Sequence, residues 1–199
     1  GITGLIKEAK KDLEALQTAK FDAIMFGNEN DRPYQLNVDT ASTAAAAYII
    51  GELKRDIKIP FGVDMLWDPM ATIALGAATK ANFVREIFTG TYSSDMGIWA
   101  PHAGEALRYK QNLGSEEMLL LFNISAEFAY SQDRRPLTDR ARSVVFSSLP
   151  DAILVSGQIT GEAASMHDLM SVKKALPHTP VLANTCLLYT SDAADDSRS

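Results

Sequence analysis

Asp64, Arg85 and Glu127 are the charged residues whose placement in this sequence suggests chemistry. Each lies within or just beyond a short apolar run, where a charge is costly to bury unless it finds a partner. Arg85 stands beside Glu86 in the run Asn82-Phe83-Val84-Arg85-Glu86-Ile87-Phe88-Thr89-Gly90. A two-residue period puts Phe83, Arg85, Ile87 and Thr89 on one face, and Val84, Glu86 and Phe88 on the other. The same period, carried through the neighbouring runs, turns Asp64, Asn123, Ser125 and Glu127 toward the side of Arg85. Two carboxylates, a guanidinium, an amide and a hydroxyl could hold a polyhydroxyl or phosphorylated compound, with Arg85 gripping an anion through a two-pronged hydrogen bond. Asp64 or Glu127 could act as general base, or could hold Mg²⁺ through oxygen ligands. The competing reading is structural: a satisfied polar layer in which Asp64 neutralises Arg85.

Polar groups close the other apolar runs as well: Asn28, Asp68, Thr89, Ser156 and Asn184. A polar stretch after Gly90 carries Ser93, Ser94 and Asp95 and reads as a loop. Trp67 and Trp99 could stack on a sugar ring, or could simply cover the end of a core. The candidate binding set is therefore Asn28, Trp67, Asp68, Thr89, Asp95, Asn123, Ser125, Ser156 and Asn184. No Lys lies within a predicted strand or at its exit, so a Schiff-base mechanism lacks its nucleophile. His102 follows the central loop at a helix start, whereas His167 and His178 lie elsewhere. No paired-Cys or HExxH spacing is present, which argues against zinc.

The positioning elements follow from periodicity. Leu5, Ile6, Ala9, Leu13 and Leu16 mark an amphipathic helix, and residues 21–27 a strand. Thr40 or Ser42 is expected to cap a second helix with Ile49, Ile50 and Leu53 on its buried side. Strands are expected over 61–66, 83–89, 118–127, 152–157 and 180–185, with helices over 69–80, 102–112, 137–149 and 166–176. Strict alternation of six strands and six helices implies βα units and a parallel sheet. The first strand is not followed by a glycine-rich turn, which weakens the doubly wound nucleotide-binding alternative. Polar groups at every strand exit fit a (β/α)-barrel, whose working face lies there.

The chain has 199 residues, a net charge of −6 and 46% hydrophobic residues, enough for one sizeable core. The acidic balance argues against nucleic acid as partner, and no apolar run approaches the ~20 residues of a membrane span. One cysteine, Cys186, admits no internal disulfide, so the cytoplasm is the expected compartment. Residues 186–199 fit neither helix nor strand and read as a non-native or disordered tail. A barrel needs eight units, so residues 1–185 read as an incomplete barrel of about six, with open sheet edges that favour aggregation.

Several segments carry a family resemblance: Met25-Phe26-Gly27-Asn28-Glu29, Ile59 through Pro69, Phe83 through Gly90, Leu121-Phe122-Asn123-Ile124, Val155-Ser156-Gly157, and Val181 through Thr185. In this order and spacing they resemble the BtpA family, and most closely its SgcQ-type branch. The resemblance implies a TIM barrel of the phosphate-binding type, with an opening strand and the last units absent. It links the family to photosystem I biogenesis and the SgcQ-type branch to sugar uptake. Asp64 stands where the family usually has Asn. Three functions are expected in turn: a cytoplasmic enzyme acting on a sugar or phosphosugar (an isomerase, lyase or hydrolase), a non-catalytic assembly factor, or a metabolite sensor. Homo-oligomerisation is left open.

Overall fold

The computed structural model describes residues 1–157 and 164–184. Thr185, Cys186 and the 186–199 segment lie outside the described residues. In chain order the first elements are α1 (Ile2–Thr18), β1 (Ile24–Gly27), α2 (Thr40–Leu53), β2 (Phe61–Asp64), α3 (Pro69–Thr79) and β3 (Phe83–Glu86). Then come β4 (Tyr92–Ser94), β5 (Gly97–Trp99), α4 (Ala103–Asn112), β6 (Leu119–Asn123) and β7 (Ala129–Ser131). The last are α5 (Leu137–Ser148), β8 (Ala152–Ser156), α6 (Met166–Ala175) and β9 (Val181–Asn184). The architecture is α/β: among the described residues the parallel strands are ordered β1-β2-β3-β6-β8-β9, with one helix before β1 and five helices between successive strands, as the alternation predicts.

The chain forms two compact units, one of Gly1–Glu86 with His102–Leu120, the other of Ile87–Pro101 with the residues from Leu121 onward. In the first unit β1 pairs in parallel with β2, Gly27 opposite Asp64, and β2 with β3, Val63 opposite Val84. Every residue of β2 is buried, as expected for a parallel strand covered on both faces. Gly62 is required by close approach: a Cβ there would lie 2.1 Å from the Phe83 ring. Leu13, Ile50, Leu53, Ile73, Leu75 and Val84 pack the core.

Helix starts explain the loops that matter. Asp68 caps α3, accepting from the Met70 and Ala71 amides, and Pro69 follows at the first helical position. The α2 cap is Asp39, not Thr40 or Ser42; its carboxylate accepts from the Ser42 amide at 2.9 Å. A carboxylate with two acceptor oxygens takes both the amide and the Ser42 hydroxyl, which a hydroxyl at position 40 or 42 could not do.

In the second unit β6 pairs with β8, Asn123 opposite Leu154, and β8 with β9, Ser156 opposite Asn184. Phe88 and Phe122 stack with ring centroids 4.5 Å apart among Ile124, Ile153, Val155 and Val172. Three expectations are corrected here. The strand expected over 83–89 ends at Glu86, and Ile87 and Phe88 are buried beyond it. The expected polar loop 91–97 instead contains β4 and the start of β5. With β7 these form a three-stranded antiparallel sheet in the order β5-β4-β7. Its inner side is held by Tyr92 stacked on Trp99 at 4.6 Å, so buried aromatic area outweighs the polarity of Ser93 and Ser94. The strand expected over 118–127 is likewise shorter, Leu119–Asn123. Among the described residues no helix is long and apolar enough to cross a membrane.

Candidate functional site

The first unit gathers its polar residues at the carboxyl ends of β1, β2 and β3. Arg85 points its Nε at Asp64 Oδ2, 2.9 Å away, and its Nη2 at the same oxygen, 2.5 Å away. Asp64 is 1% exposed and its Oδ1, also buried, has no hydrogen-bond partner among the described residues. The Glu29 carboxylate lies 3.5 Å from Arg85 Nη2 and is half exposed. Burial by itself would lower the pKa of Arg85, but Asp64, with Glu86 and Glu29, outweighs that and raises it above the ordinary guanidinium value. Arg85 is therefore a permanent cation. The structural pairing of Arg85 with Asp64 is real, and it commits the guanidinium's two-pronged edge.

The loop leaving β2 is pinned from three sides. Asn28 Oδ1 accepts from the Leu66 amide at 2.8 Å, Thr72 Oγ1 from the Met65 amide at 2.8 Å, and Glu86 from the Trp67 amide at 3.0 Å. Trp67 has φ +71°, a conformation costly for a bulky residue that persists only where surroundings impose it. Its ring is buried against Tyr34, with centroids 6.4 Å apart. Asp68 Oδ2 also accepts from the Val38 amide at 2.9 Å, so both carboxylate oxygens hold backbone. The structure thus gives Asn28, Trp67 and Asp68 positioning contacts around Asp64 and Arg85. His102 stands exposed before α4 without a side-chain capping bond.

In the second unit a polar group lies at the carboxyl ends of β6, β8 and β9. Ser156 Oγ accepts from Asn123 Nδ2 at 2.9 Å and from Asn184 Nδ2 at 2.8 Å. Asn123 Oδ1 accepts from the Ser125 amide at 3.0 Å, and Ser125 Oγ from the Ser156 amide at 2.8 Å. Thus four sequence-derived candidates, Asn123, Ser125, Ser156 and Asn184, form one network. Thr89 is half-buried between β3 and β4, Asp95 is exposed at the β4–β5 turn, and Glu127 is half-buried between β6 and β7. Trp99 is buried. Also in this unit, Asp133 is held down to about 2, first by its hydrogen bond from Arg135.

Sequence reasoning missed Glu29 and did not assign Glu86 a role. Glu29 directly follows Asn28 at a strand exit, which is the available signal; Glu86 stands next to Arg85 in an apolar run, where a charge needs a partner. Among the described residues no three His, Cys, Asp or Glu side chains converge to hold a metal ion.

This is an α/β protein with a parallel sheet and polar residues at its strand exits. The model of the BtpA family matches residues 1–191, and the chain belongs to that family. It is 46% identical over 185 residues to the Escherichia coli protein SgcQ, whose name places it in the sgc region, covering 93% of this chain and 69% of SgcQ. A protein of Archaeoglobus fulgidus is 32% identical over 190 residues, covering 92% of this chain and 74% of that one. The photosystem I biogenesis protein BtpA of Synechocystis is 28% identical over 183 residues, covering 90% of this chain and 63% of its own length.

Proposed function

We propose that this chain is a (β/α)-barrel protein of the phosphate-binding type, working in the cytoplasm as an enzyme on a sugar or phosphosugar. One observation carries the reading: a buried Asp64–Arg85 pair at the exits of adjacent parallel strands, with the half-exposed Glu29 carboxylate beside it. Placing a fixed cation and carboxylates at strand exits is how such folds orient a ligand and move its protons. In this reading Asp64 in the first unit and Glu127 in the second are the candidate general bases, and Arg85 holds Asp64 in place through its hydrogen bonds. Mg²⁺ bound through carboxylate oxygen would lower the pKa of a ligand hydroxyl. The higher identity to SgcQ than to the photosystem I biogenesis protein favours this branch. A non-catalytic assembly role, suggested by the name of the Synechocystis relative, is the second reading.

A thermal-shift screen with glucose, glucose 6-phosphate and ribose 5-phosphate, with and without Mg²⁺, tests it. A ligand at about 100 times its dissociation constant stabilises by about 2.7 kcal/mol. A shift in the parent that Asp64→Asn and Arg85→Ala both lose supports ligand binding at this pair, hence the enzyme or the metabolite sensor over the assembly factor. No shift with any probe, and variants that only melt earlier, makes the pair structural and turns the reading to the assembly factor.

A further inference from the structure

The first-unit cluster is rich in acceptors and negative in balance. Asp64 and Glu29 stand side by side above Gly27: a Cβ on that glycine would lie 3.7 Å from Glu29 Cγ and 4.0 Å from Asp64 Cβ. Asp64 gives one oxygen to Arg85, and its Oδ1 is buried with no hydrogen-bond partner among the described residues. Glu29 stands 3.5 Å from Arg85 Nη2, well beyond the ~2.7–2.9 Å of a charge-assisted bond. Its backbone, by contrast, is fixed: Tyr34 Oη donates to the Glu29 carbonyl at 2.9 Å, and the preceding Asn28 holds the Leu66 amide. The charges of Asp64, Glu86 and Glu29 all bear on the one guanidinium of Arg85, so three carboxylates face a single cation. Asp64 is 1% exposed, and water screens its charge poorly. Glu29, with about half its side chain in solvent, is the carboxylate a ligand meets.

We infer that Glu29, backed by the buried Asp64, forms a subsite for a protonated amine of the ligand, which makes an amino sugar the substrate class of this site. An ammonium group is positively charged, brings three donors and accepts nothing. It matches a half-exposed carboxylate that receives no short hydrogen bond from the described residues, and it offsets the negative balance around Arg85. A neutral hydroxyl can donate to Glu29 but leaves that balance as it is. A divalent cation finds a poorer fit, because among the described residues no three His, Cys, Asp or Glu side chains converge on one point. Gly27, Glu29, Asp64, Arg85 and Glu86 all belong to the first unit, so the subsite is complete within it. Arg85 acts here as a positioning residue, holding Asp64 beneath Glu29 through its two bonds to Oδ2. The inference rests on the reading of the chain as a sugar-binding protein and names the group that its first-unit site takes.

The test is a calorimetric titration with protonated glucosamine, beside N-acetylglucosamine and glucose as neutral sugars of the same ring, all at matched ionic strength. Glucosamine should bind about tenfold or more tighter than either neutral sugar, as expected for a hydrogen bond between charged groups. Glu29→Gln removes the charge from a half-exposed side chain of nearly the same shape, so the variant should fold. It should bring glucosamine down to the level of glucose. Glucosamine binding no tighter than glucose in the parent, or unchanged glucosamine affinity in Glu29→Gln, would overturn the inference. Equal binding of all three sugars strikes out the amine subsite and leaves the sugar reading standing. Silence from all three also overturns the inference, and the phosphosugar arms of the thermal screen then decide that reading by themselves.

Discussion

Arg85 directs Nε and Nη2 at the same oxygen of Asp64, and the other oxygen of that carboxylate is buried without a hydrogen-bond partner among the described residues. The pair is therefore well matched in charge but incompletely satisfied in hydrogen bonding. Such an arrangement is costly to build and more costly to break from one side: Asp64 without Arg85 is a buried carboxylate that has lost its cation, and Arg85 without Asp64 loses its two shortest bonds and keeps the half-exposed Glu29 at 3.5 Å.

Asp64→Ala should accordingly destabilise the protein by about 3–5 kcal/mol. Chemical denaturation would read this as a lower midpoint. Asp64→Asn retains an oxygen for the guanidinium and removes the charge, so its loss should be smaller. Equal stability of Asp64→Ala and the parent would show that Arg85 finds another partner at no cost.

The two oxygens of Asp68 do separate jobs, which makes the residue divisible by mutation. Oδ1 caps α3 and Oδ2 holds the Val38 amide. Asp68→Ala should cost about 2 kcal/mol, adding a lost cap to an orphaned amide. Asp68→Asn keeps one acceptor oxygen and should recover roughly half, with denaturation midpoints in the order parent, Asn, Ala. Identical midpoints for Asn and Ala would mean that the Val38 bond alone matters.

Tyr92 yields an alkaline prediction with a definite sign. Burial pushes its phenol up to about 12 from the ordinary 10.0, partly offset by Arg140. The folded chain thus keeps this proton where the unfolded chain releases it. The stabilisation is complete below pH 10 and is lost as pH rises from 10 through 12. Melting temperatures over that interval should fall more steeply for the parent than for Tyr92→Phe, which cannot ionise. Parallel slopes would show that the phenol is not protected by burial.

How much of this was legible beforehand depends on the range of each interaction. Six helices and six parallel strands could be read because 3.6- and two-residue periods are local properties of the chain. The α3 start was legible for the same reason, since Asp68-Pro69 is a cap followed by a first-turn proline. Ser156 and Asn184 were picked for lying at strand ends and Asn123 and Ser125 by the two-residue period, and these local signals sufficed to select four members of one network.

The sequence by itself determined the alternating elements, the polar character of the strand exits and, through the order of its motifs, membership of the BtpA family. Tertiary structure alone decided that Arg85 spends its forked edge on one oxygen of Asp64, that Glu29 reaches the same guanidinium, and that Tyr92–Ser94 is a strand rather than a loop. Strands of three residues are too short to show a period. The Arg85–Asp64 contact spans 21 positions and that of Ser93 with Gln132 spans 39, so neither leaves a local trace. Hydrogen-bond partners are settled by the fold too: Ser156 Oγ takes the side-chain amides of Asn123 and Asn184, 33 and 28 positions away.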